Sequence, residues 1–238
     1  MTDTLPLSGK LALVTGASRG IGAATAQALA AAGAHVILTA RTGAALEEVE
    51  QRIHEAGGHA TIAPLDLIDG ESIGRLAQAI GGRWQALDIL VLNAATLGSL
   101  ASVPAIDAKE FARLLTLNVA APQAMIAAFD PMLRASKDAR VVAITSSVGA
   151  APRAYWGAYG ASKAALEVLV KAYGEEVKNI SAIRTHIIDP GATRTAMRAR
   201  AYPGEDPASV KAPEVVAKAI TALVTGDAPT GHRIRVEA

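Results

Sequence analysis

Tyr159 and Lys163 stand four residues apart in the stretch GAYGASKAA, a run of small residues with a helical pattern. Positions i and i+4 share one face of a helix, so the Lys163 ammonium can lie beside the Tyr159 hydroxyl. A free tyrosine has a pKa near ~10, and a neighbouring cation lowers that pKa by favouring the phenolate. Such a pair can exchange a proton with a carbonyl or an alcohol oxygen. The alternative is two solvated polar residues on an alanine-rich helix.

A glycine-rich turn, TGASRGIG over 15–22, follows the first predicted strand and opens an alanine-rich helix. Gly16 suits a tight turn, Gly20 leaves room for a phosphate, and Gly22 lets the helix pack closely on the sheet. The unpaired N–H groups and the positive dipole end of a helix beginning here attract a pyrophosphate. The turn therefore predicts dinucleotide binding, against the alternative of an ordinary strand–helix connection.

The end of the second predicted strand, VILTAR, indicates which dinucleotide binds. An NAD site usually has an acid about 20 residues beyond the glycines. Ala40 stands near that position, and Arg41 follows it. Arg19, inside the glycine turn, can reach the same neighbourhood. Two guanidinium groups and no carboxylate suit a ribose 2′-phosphate, so NADP(H) is favoured and NAD(H) is the alternative. The other interpretation is two solvated surface arginines.

The composition excludes several classes of protein. Cysteine is absent, which excludes disulfides, iron–sulfur clusters and thiolate zinc sites, and five scattered histidines form no metal-binding spacing, so we assign no metal. The 23 Lys and Arg nearly balance 22 Asp and Glu without a long run of one sign, so we expect no nucleic-acid partner. The start, MTDTLPLSGK, lacks an apolar signal core, and no run reaches about 18 apolar residues, so we expect no membrane span and a cytoplasmic protein.

Short β-branched runs alternate with longer helical patterns, which is typical of βαβ units. The predicted strands are 11–14, 35–40, 60–63, 89–92, 141–145, 185–188 and 233–236, and the predicted helices include 20–32, 44–56, 72–80 and 158–178. These elements predict an α/β fold of Rossmann type: a doubly wound parallel sheet of about seven strands with helices on both faces, in one domain over 1–238. The proline- and arginine-containing stretch 191–213 breaks the alternation and predicts a substrate-binding loop.

Asn118 lies four residues before Pro122, and proline has no N–H to bond the carbonyl of residue i−4. A helix through this stretch leaves the Asn118 carbonyl free and has a local kink. That carbonyl can bind water and pass protons onward from Lys163. The alternative places Pro122 in the first turn of a helix, where its missing N–H costs little.

Several further motifs occur in a fixed order along nearly the whole chain. They are TGASRGIG, LDL with Asp66 and Leu67, LNAA with Asn93 and Ala94, LNV with Asn118, ITSS with Ser146, the Tyr159–Lys163 pair, and PGATRT over 190–195. In this order they resemble the short-chain dehydrogenase/reductase family. The resemblance departs from the family pattern at Leu92 and Ala95, which replace an asparagine and a glycine after the fourth strand.

The resemblance implies hydride transfer between NADP(H) and a small-molecule carbonyl or alcohol substrate. It implies Tyr159 as the acid/base, Lys163 as the group that lowers its pKa and binds ribose, Ser146 as the orienter of the carbonyl, and Asn118 as the anchor of a proton relay. Ser146 lies thirteen residues before Tyr159, and Ser147 is the alternative after a register shift of one. The cofactor-binding residues expected from the turn and the resemblance are Gly16, Ser18, Arg19, Gly20, Ile21, Gly22, Arg41, Asp66, Leu67, Asn93, Ala94, Tyr159, Lys163, Pro190, Gly191, Thr193 and Thr195.

Other interpretations stay open at this point. The ending TGHRIRVEA lacks the Asp-Gly-Gly common in fatty-acid-synthesis reductases of the family, which weakens a 3-oxoacyl-thioester reductase. A cofactor-binding sensor or scaffold without catalysis and a nucleotide-sugar epimerase relative are two further hypotheses. The resemblance implies a homodimer or homotetramer formed through two long helices, here 118–133 and 158–178. An acidic substrate becomes plausible only if Arg194, Arg198 or Arg200 faces the pocket.

Overall fold

The computed structural model describes residues 5–237, so residues 1–4 and 238 of the predicted domain lie outside it. The strands are β1 (Leu11–Thr15), β2 (His35–Thr39), β3 (His59–Ile62), β4 (Ile89–Leu92), β5 (Ala139–Ile144), β6 (Ile183–Asp189) and β7 (His232–Arg235). All seven form one parallel sheet in the order β3-β2-β1-β4-β5-β6-β7. This order confirms the predicted Rossmann-type, doubly wound sheet.

Helices connect the strands and cover the sheet. Within residues 5–237 they are α1 (Gly20–Ala31), α2 (Gly43–Glu55), α3 (Gly70–Gly81), α4 (Ala108–Leu115), α5 (Ala121–Ala135), α6 (Ser147–Ala150), α7 (Gly157–Val177), α8 (Ala196–Ala201) and α9 (Pro213–Thr225). The bounds of the predicted strands, and those of the predicted helices 20–32, 44–56, 72–80 and 158–178, differ from the observed bounds by at most two residues. Element type followed from hydrophobic periodicity, whereas ends depend on local caps.

The sheet is buried on both faces, which explains why its strands are almost continuously apolar. In β1, Ala12 and Val14 pack with α1, α2 and α9, whereas Leu11 and Leu13 face the opposite layer of α3, α5 and α7. Both layers are built mainly from Ala, Val, Ile and Leu. Such small side chains let the helices lie close to the sheet, and this close packing positions the helix starts at its carboxyl edge.

The predicted helix 118–133 is part of a longer helical run. The run Ala108–Ala135 joins α4 to α5 through a π-helical turn, Thr116–Ala120, that contains Asn118. Pro122 lies in the first turn of α5, and the N–H of Ala121 bonds back five residues to the Thr116 carbonyl. Both earlier interpretations of Pro122 therefore hold in part: it begins an α-helical segment, and the regular bonding pattern breaks at Asn118.

The same helical run is long and apolar enough to cross a membrane by length and composition alone. Its side chains Met125, Phe129 and Leu133 lie in the core against the sheet. A core helix of a globular protein meets the same criterion, so the hydropathy of this run is weak support for a membrane span.

The predicted loop 191–213 is not a simple loop. It contains α8 and a 3₁₀ turn, Pro207–Ser209, and it ends at the first residue of α9. Thr195 caps α8 by accepting a hydrogen bond from the Arg198 N–H, and Asp206 caps the 3₁₀ turn through the Ala208 N–H. The sequence pattern missed α8 because six residues are too short to show helical periodicity.

Candidate active site

Tyr159 and Lys163 are both buried on one face of α7, beside the carboxyl end of β5. The Lys163 ammonium donates a hydrogen bond to the Ile144 carbonyl at 2.8 Å and lies 5.7 Å from the centre of the Tyr159 ring. Small residues permit this burial: a Cβ at Gly160 would lie 2.8 Å from the Val148 carbonyl oxygen. The pair is therefore enclosed between α6, α7 and the sheet, and the alternative of a solvated helix face is wrong.

Burial is the largest influence on the pKa values of Tyr159 and Lys163. It raises the pKa of the Tyr159 hydroxyl above its ordinary value, and the negative charge of Asp189 raises that pKa further. Burial also lowers the pKa of the Lys163 ammonium to about 8, because the charged form loses its solvation. For the chain's own groups the net shift of the Tyr159 pKa is upward, because burial dominates, and the lowering of that pKa by Lys163 stays a prediction. Near neutral pH the structure presents a protonated phenol beside a charged lysine.

Apolar side chains pack against Tyr159. The hydroxyl lies 3.9 Å from the Met197 sulfur of α8. The Trp156 ring packs edge-on against the Tyr159 ring, with 6.0 Å between centroids, and Leu97 belongs to the same cluster. The 191–213 segment therefore reaches Tyr159 through α8, and its role in substrate binding stays a prediction.

Ser146 lies two residues beyond β5, at the start of α6. Its side chain does not cap α6, so the hydroxyl is available for another acceptor or donor. Val148, two residues further on, packs against Tyr159 and brings this turn next to it. Ser147, the alternative, is the first residue of α6.

Asn118 is buried, and its side chain links two neighbouring segments. Its Oδ1 accepts a hydrogen bond from the Thr96 N–H at 2.8 Å, and its Nδ2 donates to the Thr96 carbonyl at 2.9 Å and to the Ser162 hydroxyl at 3.1 Å. Ser162 in turn donates to the Tyr159 carbonyl at 2.7 Å. Ser162 was missed from the sequence, although it lies one residue before Lys163.

The glycine-rich turn has the backbone geometry that its sequence predicts. Gly16 and Gly20 have φ of 65° and 56°, a region that side chains disfavour. A Cβ at Gly22 would lie 2.2 Å from the Gly16 carbonyl oxygen, so only glycine lets α1 approach the turn this closely. A Cβ at Gly16 would lie 3.0 Å from Asn93 Nδ2 and from Ala94 Cα. The turn is thus packed between β1, β4 and α1.

The start of α1 fits a pyrophosphate. Arg19 occupies the N-cap position without a side-chain cap, and the first turn of α1, beginning Gly20–Ile21, holds no acidic residue. The leading N–H groups and the positive dipole end are therefore left for an anion. Thr195 lies opposite, because a Cβ at Gly20 would be 3.3 Å from its methyl group. Ser18 precedes this turn and is partly buried.

A family model for short chain dehydrogenases matches residues 10–206, which is most of the chain. The matched range includes Asn118, Ser146, Tyr159 and Lys163. The chain belongs to the short-chain dehydrogenase family. It is 37% identical over 210 residues to the uncharacterized oxidoreductase YciK of Escherichia coli K12, covering 87% of this chain and 82% of that protein. It is 37% identical over 213 residues to the rhamnolipids biosynthesis 3-oxoacyl-[acyl-carrier-protein] reductase of Pseudomonas aeruginosa, covering 87% and 80%.

Its fold is also that of solved family members. A short chain dehydrogenase of Shigella flexneri 2a strain 301, solved in complex with NADP, has a TM-score of 0.94 and 34% identity, with 99% of this chain and 100% of that chain covered.

The remaining expected cofactor residues of this short-chain dehydrogenase lie after the carboxyl ends of its strands. Arg41 follows β2 and is exposed, as is Arg19. Asp66 follows β3, where its carboxylate accepts a hydrogen bond from the Ile68 N–H at 3.1 Å, and Leu67 is buried. The strand ends therefore place these residues along the edge where α/β sheets bind ligands.

After β6, the PGATRT motif forms a compact turn. Gly191 has φ of 60°, and the Thr193 hydroxyl donates to the Pro190 carbonyl at 3.0 Å. Thr195 ends this turn and begins α8. The motif thus connects the end of β6 to α8, whose Met197 contacts Tyr159.

Thr15 is a residue that sequence reasoning missed. Its hydroxyl donates to the Val91 carbonyl at 3.0 Å and accepts from the N–H groups of Asn93 and Ala94 at 2.9 and 3.1 Å. Asn93 Nδ2 donates back to the Thr15 carbonyl at 2.9 Å. These bonds join the ends of β1 and β4, and they account for the polar residues at this point without a ligand.

The arginines of the 191–213 segment are mostly engaged within the protein. Arg198 Nε donates to Glu205 at 2.6 Å, and Arg200 donates to the Gly98 carbonyl. Arg194 is exposed. An acidic substrate is therefore not favoured by Arg198 or Arg200. Among residues 5–237, no group of three or more metal-binding side chains occurs.

Proposed function

We propose that this short-chain dehydrogenase is an NADP(H)-dependent oxidoreductase that interconverts a ketone or aldehyde and the corresponding alcohol. The buried Tyr159–Lys163 pair at the carboxyl edge of the sheet is the observation that carries the proposal, because it encloses a protonated phenol beside a cation. A family member of similar structure was solved in complex with NADP, which supports the choice of cofactor.

Each proposed catalytic residue has a defined task. NADPH, when bound, supplies the hydride that reduces the carbonyl carbon. The Tyr159 hydroxyl donates its proton to the carbonyl oxygen, and its raised pKa keeps that proton in place until transfer. The Ser146 hydroxyl orients the same oxygen, and Lys163 stabilises the phenolate that remains. Asn118, joined to this turn of α7 through Ser162, anchors the path by which the proton is replaced.

The chain's own residues also explain cofactor binding in this proposal. The start of α1 and Gly20 accept the pyrophosphate, and Lys163 reaches the nicotinamide ribose. The exposed Arg19 and Arg41 bind the 2′-phosphate, since guanidinium groups pair well with phosphate oxygens. No carboxylate follows β2 to repel that phosphate, which favours NADP(H) over NAD(H).

The decisive experiment is NADPH oxidation by the full chain on a panel of ketones, aldehydes, quinones and 3-oxoacyl thioesters. We expect turnover on at least one member, and a loss of about 10²- to 10⁴-fold in kcat/KM for Tyr159→Phe. Tyr173→Phe is the matched control, because Tyr173 lies on the same helix and bonds Asp130 away from the site. Full activity in Tyr159→Phe contradicts the mechanism. Tight NADPH binding without turnover supports the alternative of a sensor or scaffold.

A 3-oxoacyl-thioester reductase is the second candidate function. Its support is the 37% identity to the 3-oxoacyl-[acyl-carrier-protein] reductase of Pseudomonas aeruginosa. The apolar cluster of Leu97, Trp156 and Met197 at Tyr159 suits an acyl chain as well as a simple ketone. A kcat/KM for 3-oxoacyl thioesters well above that for simple ketones of similar length selects this candidate.

We also propose a homodimer or homotetramer formed through α5 and α7. Val168 on α7 supports this proposal, because 65% of its side chain is exposed on the side of the helix away from the sheet. Light scattering after size-exclusion chromatography tests it. We expect Val168→Asp to shift the particle toward 24.3 kDa, the mass of one chain, and Glu47→Gln, on the exposed surface of α2, to leave it unchanged.

A further inference from the structure

Glu167, Asp189 and Arg233 form a cluster of charged side chains near the acid/base pair. Glu167 follows Lys163 by one helical turn of α7, on the same face as Tyr159, and Asp189 is the last residue of β6. Both carboxylates are almost fully buried. Buried carboxylates need partners, because desolvation of an unpaired charge is costly.

Arg233 of β7 joins these two carboxylates. Its Nε lies 3.4 Å from both carboxylate oxygens of Glu167, and its Nη2 lies 3.6 Å from Asp189 Oδ2. Among residues 5–237, Arg233 is the cation that forms a salt bridge with Asp189. The C-terminal strand therefore contributes directly to the charge cluster next to α7 and β6.

Further bonds tie the cluster to the site. The Thr145 hydroxyl, one residue before Ser146, donates to Glu167 at 2.7 Å. Asp189 Oδ1 accepts from the Gly191 N–H at 3.1 Å, where the PGATRT turn begins. The cluster thus touches the segments that carry the proposed serine and cofactor turn. The charge of Asp189 also acts on the Tyr159 hydroxyl, whose pKa it raises.

We propose that Arg233 is a positioning residue for the acid/base pair, which balances the charge of Asp189 near Tyr159 and holds Glu167, and with it α7, on the sheet. The role of Arg233 in catalysis rests on the proposed function, whereas its balancing of the Asp189 charge does not. With Arg233 present, Asp189 acts on Tyr159 as half of an ion pair. Without Arg233, Asp189 acts as a full negative charge in a poorly solvated place.

The other charged groups near this cluster do not replace Arg233. Around this cluster, Lys163 lies beside the Tyr159 ring, Lys171 pairs with Glu167, and the charges of Asp189, Arg198, Arg235 and Glu237 act on Lys211. Lys163 bonds the Ile144 carbonyl, Arg198 is held by Glu205, and Lys211 donates to the Ala192 carbonyl. Lys171 pairs with the outer oxygen of Glu167 at 3.4 Å and is half exposed.

The test is a titration of Tyr159 in the full chain by ¹³C NMR of labelled tyrosine, recorded with and without NADP⁺. The Tyr159→Phe spectrum assigns the resonance. We expect Asp189→Asn to lower the pH at which Tyr159 ionises, and Arg233→Gln to raise it, each by at least about half a pH unit. The double variant should titrate close to the wild type, because both charges are removed together. Arg233→Lys should also stay close to the wild type, since it keeps the charge.

Matched variants keep the test sharp. Asp189→Asn retains an oxygen that can accept from the Gly191 N–H. Arg235→Gln is the control for Arg233→Gln, because Arg235 lies on the same strand and its side chain is 56% exposed. We expect Arg235→Gln to leave the titration unchanged. Shifts of the two single variants in the same direction, no shift in either, or no ionisation of Tyr159 before unfolding in Asp189→Asn overturns the proposal.

The pH profile of alcohol oxidation should follow the same order of variants. Wild-type protein without turnover on any substrate contradicts the proposed function but leaves the NMR result to decide on Arg233. Conversely, an active wild type with an unperturbed Tyr159 titration in both single variants contradicts the role of Arg233 alone.

Discussion

The Lys163 ammonium lies 2.8 Å from the carbonyl oxygen of Ile144, the last residue of β5. This bond joins the second turn of α7 to the edge of the sheet. It holds the Lys163 ammonium 5.7 Å from the centre of the Tyr159 ring. A lysine on a helix surface would sample many rotamers, whereas this one is buried and directed. The position of the cation is therefore a property of how α7 packs on β5.

Replacing Lys163 tests that arrangement. We expect Lys163→Met to lower kcat/KM by about 10²-fold or more, because the phenolate loses its stabilising cation. The fold should persist in circular dichroism, with little net change in the free energy of unfolding, because removal of a desolvated charge offsets the lost hydrogen bond to the Ile144 carbonyl. Lys171→Met, two turns along the same helix, should keep most of the activity. Equal losses in the two variants contradict a specific role for Lys163.

The glycines of the cofactor turn and of α3 should respond in opposite ways to alanine. A Cβ at Gly22 would meet the Gly16 carbonyl, so we expect Gly22→Ala to lower the free energy of unfolding by about 1–3 kcal/mol and to weaken NADPH binding. A Cβ at Gly74 meets nothing within 4 Å, so Gly74→Ala should raise stability by about 0.5–1 kcal/mol. Urea unfolding measures both, and a stable Gly22→Ala contradicts the packing argument.

Arg41 provides a test of cofactor choice. In Arg41→Asp a carboxylate replaces a cation where the proposed 2′-phosphate binds, so we expect the KM for NADPH to rise at least about 10-fold. The KM for NADH should fall or stay unchanged, since a carboxylate there can accept from a ribose hydroxyl. Arg75→Asp, on the exposed surface of α3, controls for the change in net charge. A parallel rise for both cofactors contradicts the assignment.

His186 predicts how stability depends on pH. It is completely buried in β6, and among the described residues neither of its ring nitrogens has a hydrogen-bond partner. Burial, with the charges of Arg140 and Arg184, lowers its pKa from 6.5 to about 4. The unfolded chain therefore binds more protons between these values, and stability falls as pH drops from 6.5 toward 4.

The measurement compares the wild type with His186→Leu. Between pH 7 and pH 5 the wild type should lose about 2 kcal/mol more of unfolding free energy than the variant. His59→Leu, at an exposed position, should show the wild-type slope. Identical slopes in the wild type and His186→Leu contradict the lowered pKa.

Met197 sets the space above Tyr159. Its sulfur lies 3.9 Å from the hydroxyl, so we expect it to contact a substrate bound there. We expect Met197→Ala to raise kcat/KM for bulky ketones relative to small ones by about 10-fold, the effect of a few methylene groups. Met197→Leu, which conserves volume, should keep the wild-type ratio. An unchanged ratio in Met197→Ala places the substrate elsewhere.

Much of the fold could be predicted from local pattern. Hydrophobic runs placed all seven strands, and a strand–glycine–helix spacing placed the turn at Gly16, Gly20 and Gly22. These features depend on neighbouring residues in the chain, such as a missing Cβ or an alternation of apolar residues. Tyr159 and Lys163 belong to the same group, since one helical turn brings them to one face.

Other features depend on segments far apart in the chain. The sequence could not show that Met197 of α8 covers Tyr159, or that Ser162 joins Asn118 to α7, because these contacts exist only after the sheet brings its strand ends together. The π turn at Asn118 likewise combines the local effect of Pro122 with packing on α7. Short elements such as α8 have too few residues for periodicity to reveal them.

The succession of strands and helices, the glycine turn and the pairing of Tyr159 with Lys163 could be predicted from the sequence, because each follows from residues close together in the chain. The electrostatics of that pair could be described only from the folded structure. Burial raises the pKa of Tyr159, and Asp189 and Arg233, from two different strands, supply charges that no local motif contains. Solvation and long-range charge depend on what surrounds a group in space, and that is set by the fold as a whole.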